Sequence, residues 1–344
     1  MLTWIKSILS NVVLAELWRH LSPLDQADLF SAAGKTAGNF LDPSPVPGDE
    51  FVMPDHHIRC ALRRRLRLPC PGFSRALHGG SSSTHCQHKS HDSGNFCGCE
   101  LDPFGRHAGQ CHISGLVDRW HDTIRDWLLR WVEKHTTMPV AEEPYVSQWN
   151  YWERNPSTGV AECVEARLDG GFHFHKGGQG YFDVTIPNAA TTNAEDLRER
   201  AHKPGAAAQN AVRGKFRKYP PDKHPAATLV PFAIEALGCP SGEALQLLRD
   251  LAPSDPKERA AALKEAHYRL STLVAMRQAE LLMAAEGAAV FGSAPRKLQL
   301  PTQQPSHRPQ HNGTRVAMDP RAWDDSDYFD TTRSSLQVGS PRIQ

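Results

Sequence analysis

Residues Ala166 to Ile186 read "ARLDGGFHFHKGGQGYFDVTI", with Asp169 and Asp183 on either side of a glycine-rich middle. Before it, Cys163-Val164-Glu165-Ala166-Arg167-Leu168 alternates as a half-buried strand does. After it, Tyr181-Phe182-Asp183-Val184-Thr185-Ile186 is rich in aromatic and β-branched residues, the composition of a second strand. The pairs Gly170-Gly171 and Gly177-Gly178 can take the positive φ angles of a connecting turn. The stretch therefore predicts a hairpin that brings Asp169 and Asp183 to the same end of a sheet. Two converging carboxylates suit Mg²⁺, a hard cation that binds oxygen and keeps several waters for chemistry on phosphates.

Outward from the hairpin, "ATLVPFAIEAL" (Ala227 to Leu237) has the short apolar run of a buried strand, expected to lie parallel to Tyr181 to Ile186. Between them, Asn193 to Lys218 is helical in composition, with Pro204-Gly205 breaking it into two pieces. Upstream, Val117, Trp120, Ile124, Trp127, Leu128 and Trp131 recur at helical spacing. Ser241 reads as the cap of a short helix. The order from Leu116 is α-β-β-α-β-α, which predicts an α/β fold: a small mixed sheet flanked by helices. Pro256 to Phe291 reads as one long helix, whose Leu263, Leu270, Val274, Leu281 and Leu282 offer a face for docking on a partner. The chain thus divides into a helical segment over 1–68, a Cys/His region over 69–115, the α/β domain over 116–252, the long helix over 253–291 and a disordered tail over 292–344.

The first residues carry Trp4, Ile5, Ile8, Leu9, Val12, Val13 and Leu17 at the spacing of an amphipathic helix, interrupted by Lys6, Glu16 and Arg19. They fit neither a signal peptide nor a membrane span, so no membrane partner is expected. The 344 residues are 40% hydrophobic with a net charge of +1, a balance without the overall basic signature of a nucleic-acid binder. Contact with phosphates would have to come from local clusters, Arg63-Arg64-Arg65 and the segment from Arg213 to Lys218, which includes Arg217. Four of the eight cysteines crowd among histidines, a pattern of metal ligands rather than disulfides in a reducing compartment. Within "CGCELDPFGRHAGQC", Cys97, Cys99, His107 and Cys111 form a donor set for structural Zn²⁺, with Cys86 or His85 near enough to replace one member. For a segment so poor in apolar residues the metal would stand in for a hydrophobic core. Downstream of the acids, "RGKFRKY" sets Lys215 and Lys218 where one of them can hold a phosphate. His173 and His175 read as exposed hairpin histidines.

Together, "LDPFGRHAGQC", "RWHDTIRDWL", the "RLD" and "FDVT" pair, "KFRKY" and "VPFAIEALG" resemble the C-terminal region of non-LTR retrotransposon polyproteins that carry a restriction-enzyme-like endonuclease. In that family a Cys-Cys-His-Cys knuckle precedes an (Arg/Lys)-Pro-Asp motif, a second acid, and a later Lys and Tyr. Here Arg167-Leu168-Asp169 is followed, after thirteen residues, by Asp183. Leu168 stands in place of the family proline, and Thr185 where the wider superfamily has its lysine. The resemblance spans Asp49 to Ala252 and implies a PD-(D/E)XK nuclease fold. It assigns Asp169 and Asp183 to hold one or two Mg²⁺ ions, Lys215 or Lys218 as the lysine, and Tyr219 as the accompanying tyrosine. It further implies DNA as partner, element RNA as a second one, and a nuclear location. No Tyr/Phe-x-Asp-Asp polymerase motif is found, so the chain is expected to be a fragment or remnant of an element, active or reduced to nucleic-acid binding.

Overall fold

The computed structural model of the chain describes residues 16, 18–42, 44–45, 53–70, 85–86, 88–90, 93–154 and 159–291. Most of the helix expected at the start, and the tail from Gly292, lie outside them. The helices are α1 (Pro23–Ala33), α2 (Asp55–Arg65), α3 (Leu116–His135), α4 (Ala194–Arg200), α5 (Ala206–Lys218), α6 (Gly242–Leu251) and α7 (Pro256–Phe291). The strands are β1 (Ala141–Glu142), β2 (Tyr151–Arg154), β3 (Ala161–Val164), β4 (Gly170–His173), β5 (Gln179–Thr185) and β6 (Ala227–Ala233). Four of them form one sheet in the order β1-β4-β5-β6. β4 runs antiparallel to β5, and β6 lies parallel to β5, the pairing expected of a strand reached through helices.

The hairpin differs from its expected form. Its first strand starts at Gly170 instead of ending at Leu168, and Cys163 and Val164 belong to a separate two-stranded ribbon, β2–β3. The reason lies in the glycines. A Cβ at Gly170 would stand 2.2 Å from the Phe182 ring, and one at Gly180 would stand 2.4 Å from the Phe172 ring. Gly170 pairs with Phe182 and Phe172 with Gly180, so each ring covers the bare backbone opposite it. Gly170 therefore serves cross-strand packing, while Gly177 and Gly178, at φ +87° and +95°, make the turn.

Phe172, Phe182 and Phe232 are fully buried with Ile124 and Leu128 of α3, Leu247 and Leu248 of α6, and Leu270 and Val274 of α7. Each such side chain contributes about 1.5–3 kcal/mol by leaving water. The amphipathic pattern of α3 is thereby used as read: Trp120, Ile124, Trp127, Leu128 and Trp131 all face this core. Ser241 caps α6 by accepting from the Ala244 N–H at 3.1 Å. The helical run after β5 does break at Pro204-Gly205, with Gly205 in the left-handed conformation that starts α5.

α7 does not present a free docking face. Leu270, Val274, Leu281 and Leu282 are buried, and the helix touches the sheet core, the α2 region through Ala275 and Ala279, and the Cys/His region through Leu282 and Ala285. Most of the support for reading this helix as a partner-binding element is removed, because the chain itself covers most of the face on which it rested.

Candidate functional site

The hairpin register ends with Gly170 opposite Phe182, so Asp169, the residue just before β4, comes next to Asp183 of β5 as the register is continued by one step. Asp169 Oδ2 accepts the Val184 backbone N–H at 2.6 Å and lies 3.3 Å from His121 Nε2. Burial pushes the Asp169 carboxyl up, but the His121 hydrogen bond and charge, the Val184 N–H and Lys215 together bring it below its ordinary value. His121 is raised to about 9, chiefly by Asp169 and against its own burial. Asp183 is 6% exposed and its carboxylate pairs with the Lys215 ammonium. Burial outweighs that lysine, so the Asp183 carboxyl sits above its ordinary value. One acid is thus held ionised by an imidazolium and the other shares a dry site with an ammonium. Unlike neighbours separating two adjacent carboxyls is the arrangement of acid–base sites.

The sheet and α5 aim these groups. Glu235, buried just beyond β6, accepts the N–H groups of Ala207 and Ala208 at 2.8 and 3.2 Å and so anchors the first turn of α5. About two turns later the helix delivers Lys215 to Asp183. Lys218 goes elsewhere: its Nζ lies 4.5 Å from the Tyr151 ring centroid and 5.2 Å from that of Tyr219. Tyr219 is buried between Trp149 and Tyr151, with centroids 6.2 Å from each. Of the two candidate lysines, the structure brings Lys215 to the acids, while Lys218 and Tyr219 line an aromatic cluster beside them.

The Cys/His region departs from the expected ligand set. Cys86, Cys97, His107 and Cys111 present ligand atoms all within 4.8 Å of one another, and Cys99 is exposed outside the group. Cys86 takes the place assigned to Cys99. A narrow antiparallel ladder explains the exchange: Lys89 bridges Phe96, His85 bridges Glu100, and the Cys97 N–H donates to the His88 carbonyl at 2.8 Å. Alternation across it brings Cys86 and Cys97 to one side, and the left-handed Gly98, at φ +68°, interrupts the strand before Cys99, which falls outside the group. Cys86 Sγ lies 3.8 Å from Cys111 Sγ, and Cys97 Sγ 3.3 Å from His107 Nε2. A tetrahedron of thiolates around a zinc-sized ion has edges of about 3.8 Å. Each sulfur also accepts a backbone N–H from two residues on: Cys86 from His88, Cys97 from Cys99, Cys111 from Ile113. Such bonds stabilise thiolate and orient it. The Cys111 thiol is pulled down by its hydrogen bond with Cys86 and by His107 and His88, while that same bond and burial push Cys86 up. The pair shares one proton, which a metal would displace.

The N-terminal basic cluster is not a phosphate surface. Arg64 is 2% exposed and donates both Nη atoms to Asp28 at 3.1 Å. Arg65 donates to the carbonyls of Ala32, Ala37 and Leu237, stacks over Phe40 and is pulled down to about 10 by burial. Arg63 stays exposed and donates to the Pro69 carbonyl at 2.9 Å. The helix spends Arg64 and Arg65 on its own packing, so two of the three arginines expected to meet DNA are unavailable to it. On α5, Arg213 reaches Asn210 and Glu199, and Arg217 lines an open groove of about 720 Å³ with Arg200, Asn210, Glu195 and Glu199.

His121 was missed as a site residue, although it stands in "RWHDTIRDWL" three residues before Ile124, at the border of the buried face of α3. A histidine on that border can reach a sheet end while its helix stays packed. Its raised pKa means that the His121–Asp169 pair stabilises the fold fully below the ordinary histidine value of 6.5 and loses that contribution as pH rises through about 9. The lowered pKa of Asp169 sets the acid side, where the contribution present above 3.8 is lost as pH falls through its folded value. NMR titration of ¹³C-labelled histidine without Mg²⁺ is expected to show one imidazole titrating near pH 9 that moves toward 6.5 in Asp169→Asn. An ordinary titration of His121 in the native chain would disprove the pairing. Among the described residues no helix is long and apolar enough to cross a membrane. No protein-family model matches the chain, and no curated protein matches it.

Proposed function

We propose that the chain is a metal-dependent DNA endonuclease-like domain of retrotransposon origin and of restriction-endonuclease-like fold, working in the nucleus on DNA and in association with element RNA. The observation that carries the reading is the meeting of Asp169, Asp183 and Lys215 at one end of the sheet, one acid just before β4, one on β5 and a lysine from α5. The acids supply two protein oxygen donors, the share that Mg²⁺ takes while keeping most of its waters. Mg²⁺ would be held by Asp169 and Asp183 and would supply Lewis acidity and a more acidic bound water. Lys215 carries positive charge to the place where a scissile phosphate would meet the acids. His121, the cationic partner of Asp169, is the group that a bound cation would have to displace. The Cys/His donor set suits structural Zn²⁺ by ligand type and spacing.

A second reading has its own support: each acid already has a cationic partner, His121 for Asp169 and Lys215 for Asp183. A site balanced in this way can stand as a scaffold, with the chain as a catalytically inactive nucleic-acid-binding remnant. Plasmid nicking separates the two. Wild-type protein with Mg²⁺ or Mn²⁺ is expected to relax supercoiled DNA, and Asp169→Ala or Asp183→Ala to lower the rate by at least about a hundredfold. Salt-sensitive binding without metal-dependent nicking would select the inactive reading.

A further inference from the structure

The ribbon β2–β3 contributes little to the core: Trp152 is 73% exposed, and Glu153, Arg154, Ala161, Glu162 and Cys163 are exposed as well. A lone two-stranded ribbon is marginally stable in water, and a tryptophan left on it exposes one of the largest apolar surfaces a residue has. The pairing sorts the side chains. Trp152 opposes Cys163 and Arg154 opposes Ala161 on one face, while Glu153 opposes Glu162 on the other. One face is therefore aromatic and cationic with no acid, and its reverse is anionic. A polyanion can lie on the first and is repelled from the second.

The foot of the ribbon leads to the acids. Tyr145 is 49% exposed, and its hydroxyl accepts from Asn150 Nδ2 at 2.9 Å. Arg167, two residues before Asp169, bridges Tyr145 in backbone pairing and holds its guanidinium 5.9 Å from that ring, shared with Glu165 at 2.9 Å. On the reverse face, Tyr151 lies under Lys218 of α5, three residues beyond Lys215, which ties the ribbon to the helix of the site without joining the Trp152 face.

We propose that the Trp152 face of this ribbon is a stacking platform for unpaired bases, so that the nucleic acid led to the acid pair is single-stranded or partly unpaired DNA. Aromatic faces with interleaved cations bind single strands because every base has a π-face and every phosphate a charge. The preference for a cleavable substrate rests on the nuclease reading; the stacking does not.

Binding of a fluorescent oligothymidine and of a duplex of equal length is compared by anisotropy for wild type, Trp152→Ala, Trp152→Phe and the Asp169→Ala, Asp183→Ala double variant. Trp152→Ala is expected to bind the single strand at least about fivefold more weakly while hardly changing duplex affinity, and Trp152→Phe to restore most of the loss. Because Trp152 is so exposed, circular dichroism is expected to be unchanged. Full single-strand affinity in Trp152→Ala overturns the platform, whether or not wild type nicks plasmid. Loss of self-association in that variant with DNA binding intact overturns it too, and makes the ribbon a protein interface. Weakened single-strand binding by Trp152→Ala beside a wild type that never nicks upholds the platform and defeats the nuclease reading instead.

Discussion

Cys86→Ser is expected to empty the Cys/His centre of metal, whereas Cys99→Ser is expected to leave it loaded. Sequence spacing alone favours the opposite outcome, since Cys99 stands in the tight Cys97-Gly98-Cys99 triplet and Cys86 lies eleven residues before Cys97. The geometry decides for Cys86: its sulfur is buried 3.8 Å from that of Cys111, and that of Cys99 is exposed. Serine offers a poor ligand for a thiolate site, and three remaining donors hold zinc far less tightly. The consequence extends to stability, because among the described residues the cluster around the site has only Leu101, Ala108, Leu282 and Ala285 beside its cysteines. So small an apolar set does not order the region alone. Zinc content by mass spectrometry should fall from a full complement to near none in Cys86→Ser, and the thermal midpoint by on the order of 10 °C. Equal metal loss in both variants would return Cys99 to the ligand set.

Asp28→Ala is expected to destabilise the chain by about 3–5 kcal/mol, as removal of one partner from a buried ion pair does. Asp28 is 1% exposed and accepts from Arg64 on two nitrogens at 3.1 Å, from Arg106 at 3.0 and 3.1 Å and from Arg67 at 3.5 Å. Asp25 shares the load through Arg106 and Arg67. Without Asp28, Arg64 keeps a buried charge with no carboxylate, while α1, α2 and the loop before His107 lose the group that ties them together. Replacing Asp28 and Arg64 together by Met removes the charge as well as its partner and is expected to cost much less. Urea unfolding of the single and double variants measures this. A shift below about 1 kcal/mol in Asp28→Ala would mean that the network behaves as a surface one.

The same residues show how far the sequence could be read. Arg63-Arg64-Arg65 reads as a basic patch because nothing within a helical turn neutralises it. Its carboxylate partner lies 36 residues earlier, in α1. Likewise the "GG" before Phe172 has the look of a turn until Phe182, twelve residues from Gly170, is laid across it. Asp169 and Asp183 were legible because a hairpin brings its own acids together, and Lys215 was legible only as one of two. Choosing it required the start of α5, which Glu235 on the far side of β6 sets.

By itself the sequence determined what near neighbours settle: the apolar period of α3, the strands β5 and β6, the break at Gly205, the cap at Ser241 and the span of α7. These follow from backbone geometry and side-chain alternation over a few residues, where chain connectivity already supplies the proximity. Only the tertiary structure decided which cysteine joins the metal set, which lysine meets the acids, that His121 closes on Asp169, and that two arginines point inward. Those outcomes depend on contacts between segments brought together by burial of the common core. A charge or a thiol acquires its role from what the fold sets against it, and local pattern carries no record of that neighbour.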